Sequence, residues 1–449
     1  MSLRSVAIAT TVPPTTTAGT AALDLRESLK LWEEAERVIP GGSQTNSKRP
    51  AAFAFGKYPI FAARAEGCGI WDVDGNAYVD LVNGLGPITL GYGYPAVDAA
   101  VRAQLEQGIV SGLLWPVEVA AARGLVEAIP CAESVRFFKG GGEATAAAAR
   151  IARAATGRHV VLNAGYRGWP DTWSAGRDAA VPPDVARYTL SFTAGDLIQL
   201  ERLLEENRGQ VAAVFTDVPY DASLGAEYLD GAKRLAHDHG ALLCFDEIVN
   251  GFRLARGGMQ EHFGVVPDLA CFAKGMANGM PLAAVVGRRD IMAHAATCLI
   301  SITYGGEALS LAACVAVMDT YTRHDVIGHL WRVGQRLMDG LNAAAIETGV
   351  PFRCLGYPPM SAMSLTVPSE QVTPAWELFL GESAKRGALF RRGGLNMMTF
   401  SHQDSDVDEA VRAARGAFQV MHAAGFTADG STDPTDERGQ QMGPWVGPG

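Results

Sequence analysis

The chain has 449 residues, 48% of them apolar and 19% charged, with a formal net charge of −10. That length allows one large core with a smaller lobe, and the acidic balance offers no basic stripe for a nucleic-acid partner. A charged fraction below the roughly 25% usual in soluble domains favours a chain that hides part of its surface in an oligomer.

Residues 1–22 are rich in Thr and Ala, and Thr-Thr and Pro-Pro break any apolar run, so a disordered leader is expected rather than a secretory peptide. Apolar residues at helical spacing over 24–38 predict a helix that Pro40-Gly41-Gly42 stops. Ile70 to Asp80 reads as strand, Asp-Gly turn and strand. Helical patterns over 95–108, 117–129 and 226–239 then alternate with apolar runs at 159–162, 211–216, 241–245, 269–272 and 283–286. This is the rhythm of an α/β fold with a largely parallel sheet. Long helices are predicted over 309–324 and 325–347, the latter capped by Asp325, and then short strands mix with helices. The segment 425–449 is rich in Gly, Pro and Asp and is expected to be a disordered tail. No repeat and no apolar run long enough for a membrane span occurs. Seven scattered cysteines without a CxxC pair indicate buried thiols in a reducing cytoplasm, and nine histidines without ligand spacing indicate no metal site.

In an open parallel sheet, ligands bind beyond the carboxyl ends of the strands. The apolar run Leu242 to Phe245 ends in Asp246-Glu247, and Leu269 to Ala273 leads into Lys274. An isolated Asp there is most often a cap, and a Lys often snorkels to solvent. Together they are what pyridoxal phosphate requires: an amine in an apolar setting to capture the aldehyde, and a carboxylate to keep the pyridine nitrogen protonated. Gly140-Gly141-Gly142 before a helix starting at Glu143 supplies amides for a phosphate, although such runs are often plain loops. Tyr166, beyond the run ending at Leu162, is placed to stack on a flat ring or to pack under its loop.

Cys244-Phe245-Asp246-Glu247-Ile248, Gly251-Phe252-Arg253, Pro267-Asp268-Leu269, Ala273-Lys274-Gly275 and Asn278-Gly279 resemble the class III pyridoxal-phosphate aminotransferases. Over residues 25 to 420 the chain is most similar to their glutamate-1-semialdehyde aminomutase-like branch. The resemblance implies a fold-type I enzyme: a large domain (76–322), a small domain built from 23–75 and 323–424, and a homodimer with shared active sites. It implies pyridoxal 5'-phosphate as cofactor, Lys274 as Schiff-base lysine and Asp246 on the ring nitrogen. Gly141 and Gly142 match the phosphate loop, Glu143 the loop carboxylate facing the cofactor, Tyr166 the stacking ring and Ile248 the residue beneath it. Thr303 matches a phosphate contact given by the partner subunit.

The chain departs from that pattern in several places. The family's Ser-Gly-Thr loop has no hydroxyl here, Arg167 replaces the common His after the stacking Tyr, and Tyr92 and Tyr94 stand in place of histidines. Gly-Glu-Ala ending at Ala308 stands in place of the aminomutase's Gly-Asn-Pro. The stretch Gly41 to Arg49 is rich in hydroxyls and amides, which suits a polyhydroxylated acceptor of the amino-sugar or aminoglycoside type, with Lys48, Arg49 and Arg167 as candidate substrate contacts. Epimerisation, dehydration or internal amino migration on the same scaffold is the alternative within the class. A non-catalytic relative that only binds is the alternative outside it.

Overall fold

The computed structural model describes residues 23–174, 176, 178–218 and 225–427, which fall into two units. The expected leader and all but residues 425–427 of the expected tail lie outside the described residues. One unit comprises 86–90 and 94–331; the other comprises the described parts of 1–85, 91–93 and 332–449.

The first unit is organised on a 7-stranded sheet. Its strands, numbered in chain order, are β1 (Ser134–Phe138), β2 (Val160–Ala164), β3 (Thr189–Phe192), β4 (Val211–Thr216), β5 (Leu242–Asp246), β6 (Leu269–Phe272) and β7 (Ala283–Gly287). They lie in the order β1-β7-β6-β5-β4-β2-β3. β7 runs antiparallel to β1 and β6, and every other pairing is parallel. Strands β1 to β6 therefore all end at one edge of the sheet.

Every residue of β2, β4, β6 and β7 is buried, which is why these strands, covered on both faces, are apolar apart from Asn163 in β2 and Thr216 in β4. All five predicted runs are strands with ends within a residue or two. The two strands without a predicted counterpart, β1 and β3, are the edges of the sheet and are only partly buried. One covered flank leaves room for Arg136 and Ser191, so no unbroken apolar run marks them.

Helix α1 (Gly141–Thr156) packs Ala144, Ala147, Ala148, Ile151 and Ala152 against the sheet, in one cluster with Phe138, Val161, Phe215, Cys244, Cys271 and Val285. Small alanines let the helix sit close to the strands. It starts two residues before the expected Glu143, so Gly141 and Gly142 belong to its first turn. Helices α2 (Gly225–Asp238) and α3 (Ala308–Arg323) lie where the helical periodicity placed them.

The second unit is α+β. Ala62–Glu66, Gly69–Asp72 and Ala77–Asp80 form an antiparallel sheet that Ala388–Leu389 joins in parallel, so segments from both ends of the chain share it. The Asp-Gly turn of the expected hairpin is held by Asp72, which accepts the Asn76 amide at 2.8 Å and the Tyr78 hydroxyl at 2.7 Å. Gly75 takes φ 88°, a value that favours glycine. Phe352–Tyr357, Met360–Leu365 and Leu395–Met397 form a second antiparallel sheet, and in the core beside it Phe379 and Phe418 stack while Phe352 packs tilted against both.

Candidate active site

Asp246 closes β5, and β6 leads through Ala273 to Lys274, with Asp246 opposite Cys271 in the ladder. Only 8% of Asp246 is exposed, and its Oδ1 accepts the Ile248 amide at 3.0 Å. Lys274 is partly buried and takes φ 48°, a strained conformation for a residue with a side chain. Its surroundings hold it there. Thr89 donates its hydroxyl to the Gly275 carbonyl at 3.1 Å, and Asn278 Oδ1 accepts the Thr89 and Leu90 amides at 3.1 and 2.9 Å. Burial raises the proton affinity of Asp246, while the charges of Arg167 and Lys274 oppose that rise.

The glycine loop lies at the same edge, beyond β1. First-turn amides of α1 have no partner inside the helix. A Cβ at Gly141 would lie 2.6 Å from Ile248 Cδ1, and one at Gly142 would lie 3.2 Å from Pro170 Cδ. At Gly168 it would lie 2.7 Å from the Gly142 Cα. Ile248 and the 168–170 segment therefore pack directly onto the backbone of Gly141 and Gly142, whereas a Cβ at Gly140 would meet nothing nearer than Glu143 Oε2 at 3.7 Å. Glu143 turns its carboxylate back to the loop, where Oε2 accepts the amides of Lys139 and Gly140 at 3.0 and 2.8 Å. Lys139 Nζ in turn pairs with Glu307 Oε2 at 2.8 Å, with side chains 18% and 12% exposed. Glu307 also caps α3 through the Leu309 amide at 2.7 Å. Thr303 stands in the exposed turn ahead of that helix.

Tyr166 follows β2 and is 57% exposed. Its neighbour Arg167, expected among the substrate contacts, instead has a fully buried side chain. Nη1 donates to Asp217 Oδ2 at 3.1 Å, to Asp246 Oδ2 at 3.3 Å and to the Tyr166 carbonyl at 2.8 Å, and Nη2 donates to the Ala164 carbonyl. The Arg167 carbonyl accepts the Thr145 hydroxyl of α1 at 2.7 Å. Burial opposes the guanidinium charge, but the two carboxylates hold its proton affinity above the usual value. Lys48 and Arg49 belong to the other unit, where Lys48 is exposed and the Arg49 guanidinium lies over Gly41.

The structure adds residues that the sequence reading passed over. Asp217 directly follows the apolar run of β4, the same signature that marked Asp246 after β5. Lys139 and Glu307 carry no such signal, because only the fold brings them together. Glu247 is buried and pushed up to about 8 by burial, and it caps the short helix Met259–Phe263 by accepting the Met259 and Gln260 amides at 2.8 and 3.0 Å.

Among the described residues, no group of His, Cys, Asp or Glu is placed to hold a metal ion, and no helix is long and apolar enough to cross a membrane. The family description Aminotransferase class-III matches residues 52–172 and 183–411. The chain is 36% identical to a glutamate-1-semialdehyde 2,1-aminomutase of Syntrophobacter fumaroxidans, over 86% of this chain and 96% of that protein. It is 34% identical to a 3-aminobutyryl-CoA aminotransferase of Cloacimonas acidaminovorans, over 75% and 83% of the two chains. The solved structure of the PLP internal aldimine form of the Sphingopyxis sp. MTA144 FumI protein is similar with a TM-score of 0.85 and 26% identity, covering 90% of this chain and 98% of that one. A strand-edge lysine and carboxylate, a glycine first turn and these similarities lead to one conclusion: the chain belongs to the class III aminotransferases, enzymes of fold type I that use pyridoxal 5'-phosphate.

Proposed function

We propose that the protein transfers an amino group from an amino donor to the aldehyde or ketone of a polyhydroxylated acceptor, with Lys274 as the covalent and proton-moving residue. The observation that carries the reading is the placement of Asp246 and Lys274 at adjacent strand ends, beside a helix whose first turn is Gly141-Gly142. The residues present fit the cofactor. First-turn amides suit a phosphate, a buried carboxylate suits a ring nitrogen, and the Ile248 side chain beside Gly141 gives the apolar surface an aromatic ring needs.

Pyridoxal phosphate supplies, when bound, an aldehyde that captures amines and a ring that takes up the electron pair of a substrate carbanion. Asp246 holds the proton at the ring nitrogen. Lys274 would hold the aldehyde, and its amine, when free, would take a proton from the donor carbon and give one to the acceptor carbon. Gly141 and Gly142 would hold the phosphate through their amides, and Ile248 and Tyr166 would give the ring apolar and aromatic contacts. The hydroxyl- and amide-rich Ser43 to Ser47 supports a polyhydroxylated acceptor, and Lys48 and Arg49 support an anionic group on it.

A homodimer belongs to the same reading. Leu113 and Leu114 are 83% and 86% exposed, and four residues before Leu113 the Ile109 carbonyl accepts the Ala308 amide at 2.9 Å, at the start of the helix that follows the Thr303 turn. A second copy on this apolar surface would cover it and bring Thr303 to the neighbouring site. Seven free cysteines support a reducing, cytoplasmic setting. The aminomutase reading is favoured by the 36% identical relative, which carries that name.

The test is a single turnover of the loaded enzyme with each amino donor and no acceptor. Transamination releases one keto product per site, and amino sugars then serve as donors in the reverse direction. Isomerisation of a semialdehyde amino acid with no keto product released from any donor establishes the aminomutase reading instead.

A further inference from the structure

Asp246 faces more charge than one ring nitrogen requires. Arg167 reaches it from the segment after β2, Asp217 from the end of β4, and Lys274 from beyond β6, while Glu247 and the Cys244 thiol lie beside it in the chain. Arg167 touches its outer oxygen: Nη1 lies 3.3 Å from Asp246 Oδ2, and the same nitrogen lies 3.1 Å from Asp217 Oδ2. The guanidinium is a permanent cation, so it cannot leave by deprotonation. Its side chain is fully buried, whereas Asp217 is 36% exposed and shares the cation from the wetter side. A buried cation shared by two carboxylates is a divided counter-ion. What Asp217 takes of it, Asp246 does not feel.

We propose that Arg167 and Asp217 act as opposed positioning charges that set how firmly Asp246 holds a proton on the cofactor's ring nitrogen, Arg167 loosening that hold and Asp217 restoring it. The inference rests on the pyridoxal-phosphate reading of the site. Arg167 favours the carboxylate form of Asp246 and, being positive, opposes a second positive charge at the ring. Asp217 draws part of that field to itself. Arg167 also fixes the direction of the Asp246 carboxylate through its bonds to the Ala164 and Tyr166 carbonyls. The pair thus tunes the electron sink without touching substrate.

The experiment loads the full-length protein with pyridoxal phosphate carrying nitrogen-15 in the ring and reads the ring-nitrogen chemical shift across pH, where protonation moves the signal upfield. Asp217→Asn leaves the guanidinium to act on Asp246 alone. The signal is expected to move downfield, with the proton equilibrium weakened about tenfold or more, the effect of a charge within ~4–6 Å. Arg167→Met is expected to move it upfield, and Arg167→Lys to stay near the parent protein. Should Arg167→Met fail to fold, Asp217→Asn decides alone, because its side chain is the more exposed of the two carboxylates. An unmoved signal in loaded Asp217→Asn, or a shift of both variants in one direction, overturns the inference and leaves the cofactor reading intact. A parent protein that takes up no pyridoxal phosphate overturns both.

Discussion

Gly141 and Ile248 fit together so closely that a single methyl on the glycine would come within 2.6 Å of the isoleucine Cδ1. The contact joins the first turn of α1 to the residue two beyond Asp246, so the loop proposed to hold the phosphate and the surface proposed to lie under the ring fix each other. Gly141→Ala forces Ile248 to move at a cost of about 1–3 kcal/mol. Cofactor affinity is expected to fall roughly tenfold or more by fluorescence titration of the apoprotein, and Ile248→Val in the same chain to recover part of it. An unchanged dissociation constant for Gly141→Ala would mean that the two residues do not constrain the site.

The Lys139 and Glu307 pair ties the glycine loop to the start of α3 while most of both side chains is out of water. Burial raises the proton affinity of Glu307, but its pairing with Lys139 and its bonds from the Ser310 hydroxyl and the Leu309 amide together outweigh this and hold the carboxyl below its usual value. The stability it adds is present above the ordinary carboxylate range and is lost as pH falls through the lowered value. Glu307→Gln leaves the ammonium without its counter-ion and is expected to cost about 1–3 kcal/mol in urea unfolding at neutral pH. Lys139→Met added to Glu307→Gln should return part of that loss, because no orphan charge remains. A double variant as unstable as the sum of the singles would count against the pair.

Glu247 gives the opposite pH signature. Its carboxyl titrates at about 8 in the folded protein against 4.5 as the ordinary value, so the folded state binds more protons between those limits. Stability from this group is fully present below 4.5 and is lost as pH rises through about 8. Glu247→Gln has no such proton to lose. Thermal melts from pH 5 to 9 are expected to fall more steeply for the parent than for Glu247→Gln, and parallel curves would refute the assignment.

Leu113 and Leu114 test the second copy. Leu113→Asp with Leu114→Asp places two charges on that exposed apolar surface. Light scattering is expected to report a dimer for the parent and a monomer for the variant, with activity reduced at least about tenfold if Thr303 serves the neighbouring site. A variant that keeps the parent's mass would remove this surface from the interface.

The sheet was legible in the sequence where burial is complete on both faces, as in Val211–Thr216 and Leu269–Phe272, because such strands carry few polar residues. Ser134–Phe138 and Thr189–Phe192 escaped because edge strands tolerate them. Asp246 and Lys274 were legible because each ends an apolar run. The surroundings of Arg167 were not, since Asp217 and Asp246 meet it only through the parallel register of β2, β4 and β5, and an arginine in a loop otherwise reads as a contact for an anion.

The central claim is that pyridoxal phosphate is held covalently at Lys274. Borohydride reduction of the loaded protein, followed by proteolysis and mass spectrometry, tests it most directly. The account predicts one reduced cofactor per chain, on the peptide that contains Lys274, and none on that peptide in Lys274→Ala. A label on another lysine, or no label in a protein that has taken up the cofactor, would contradict it.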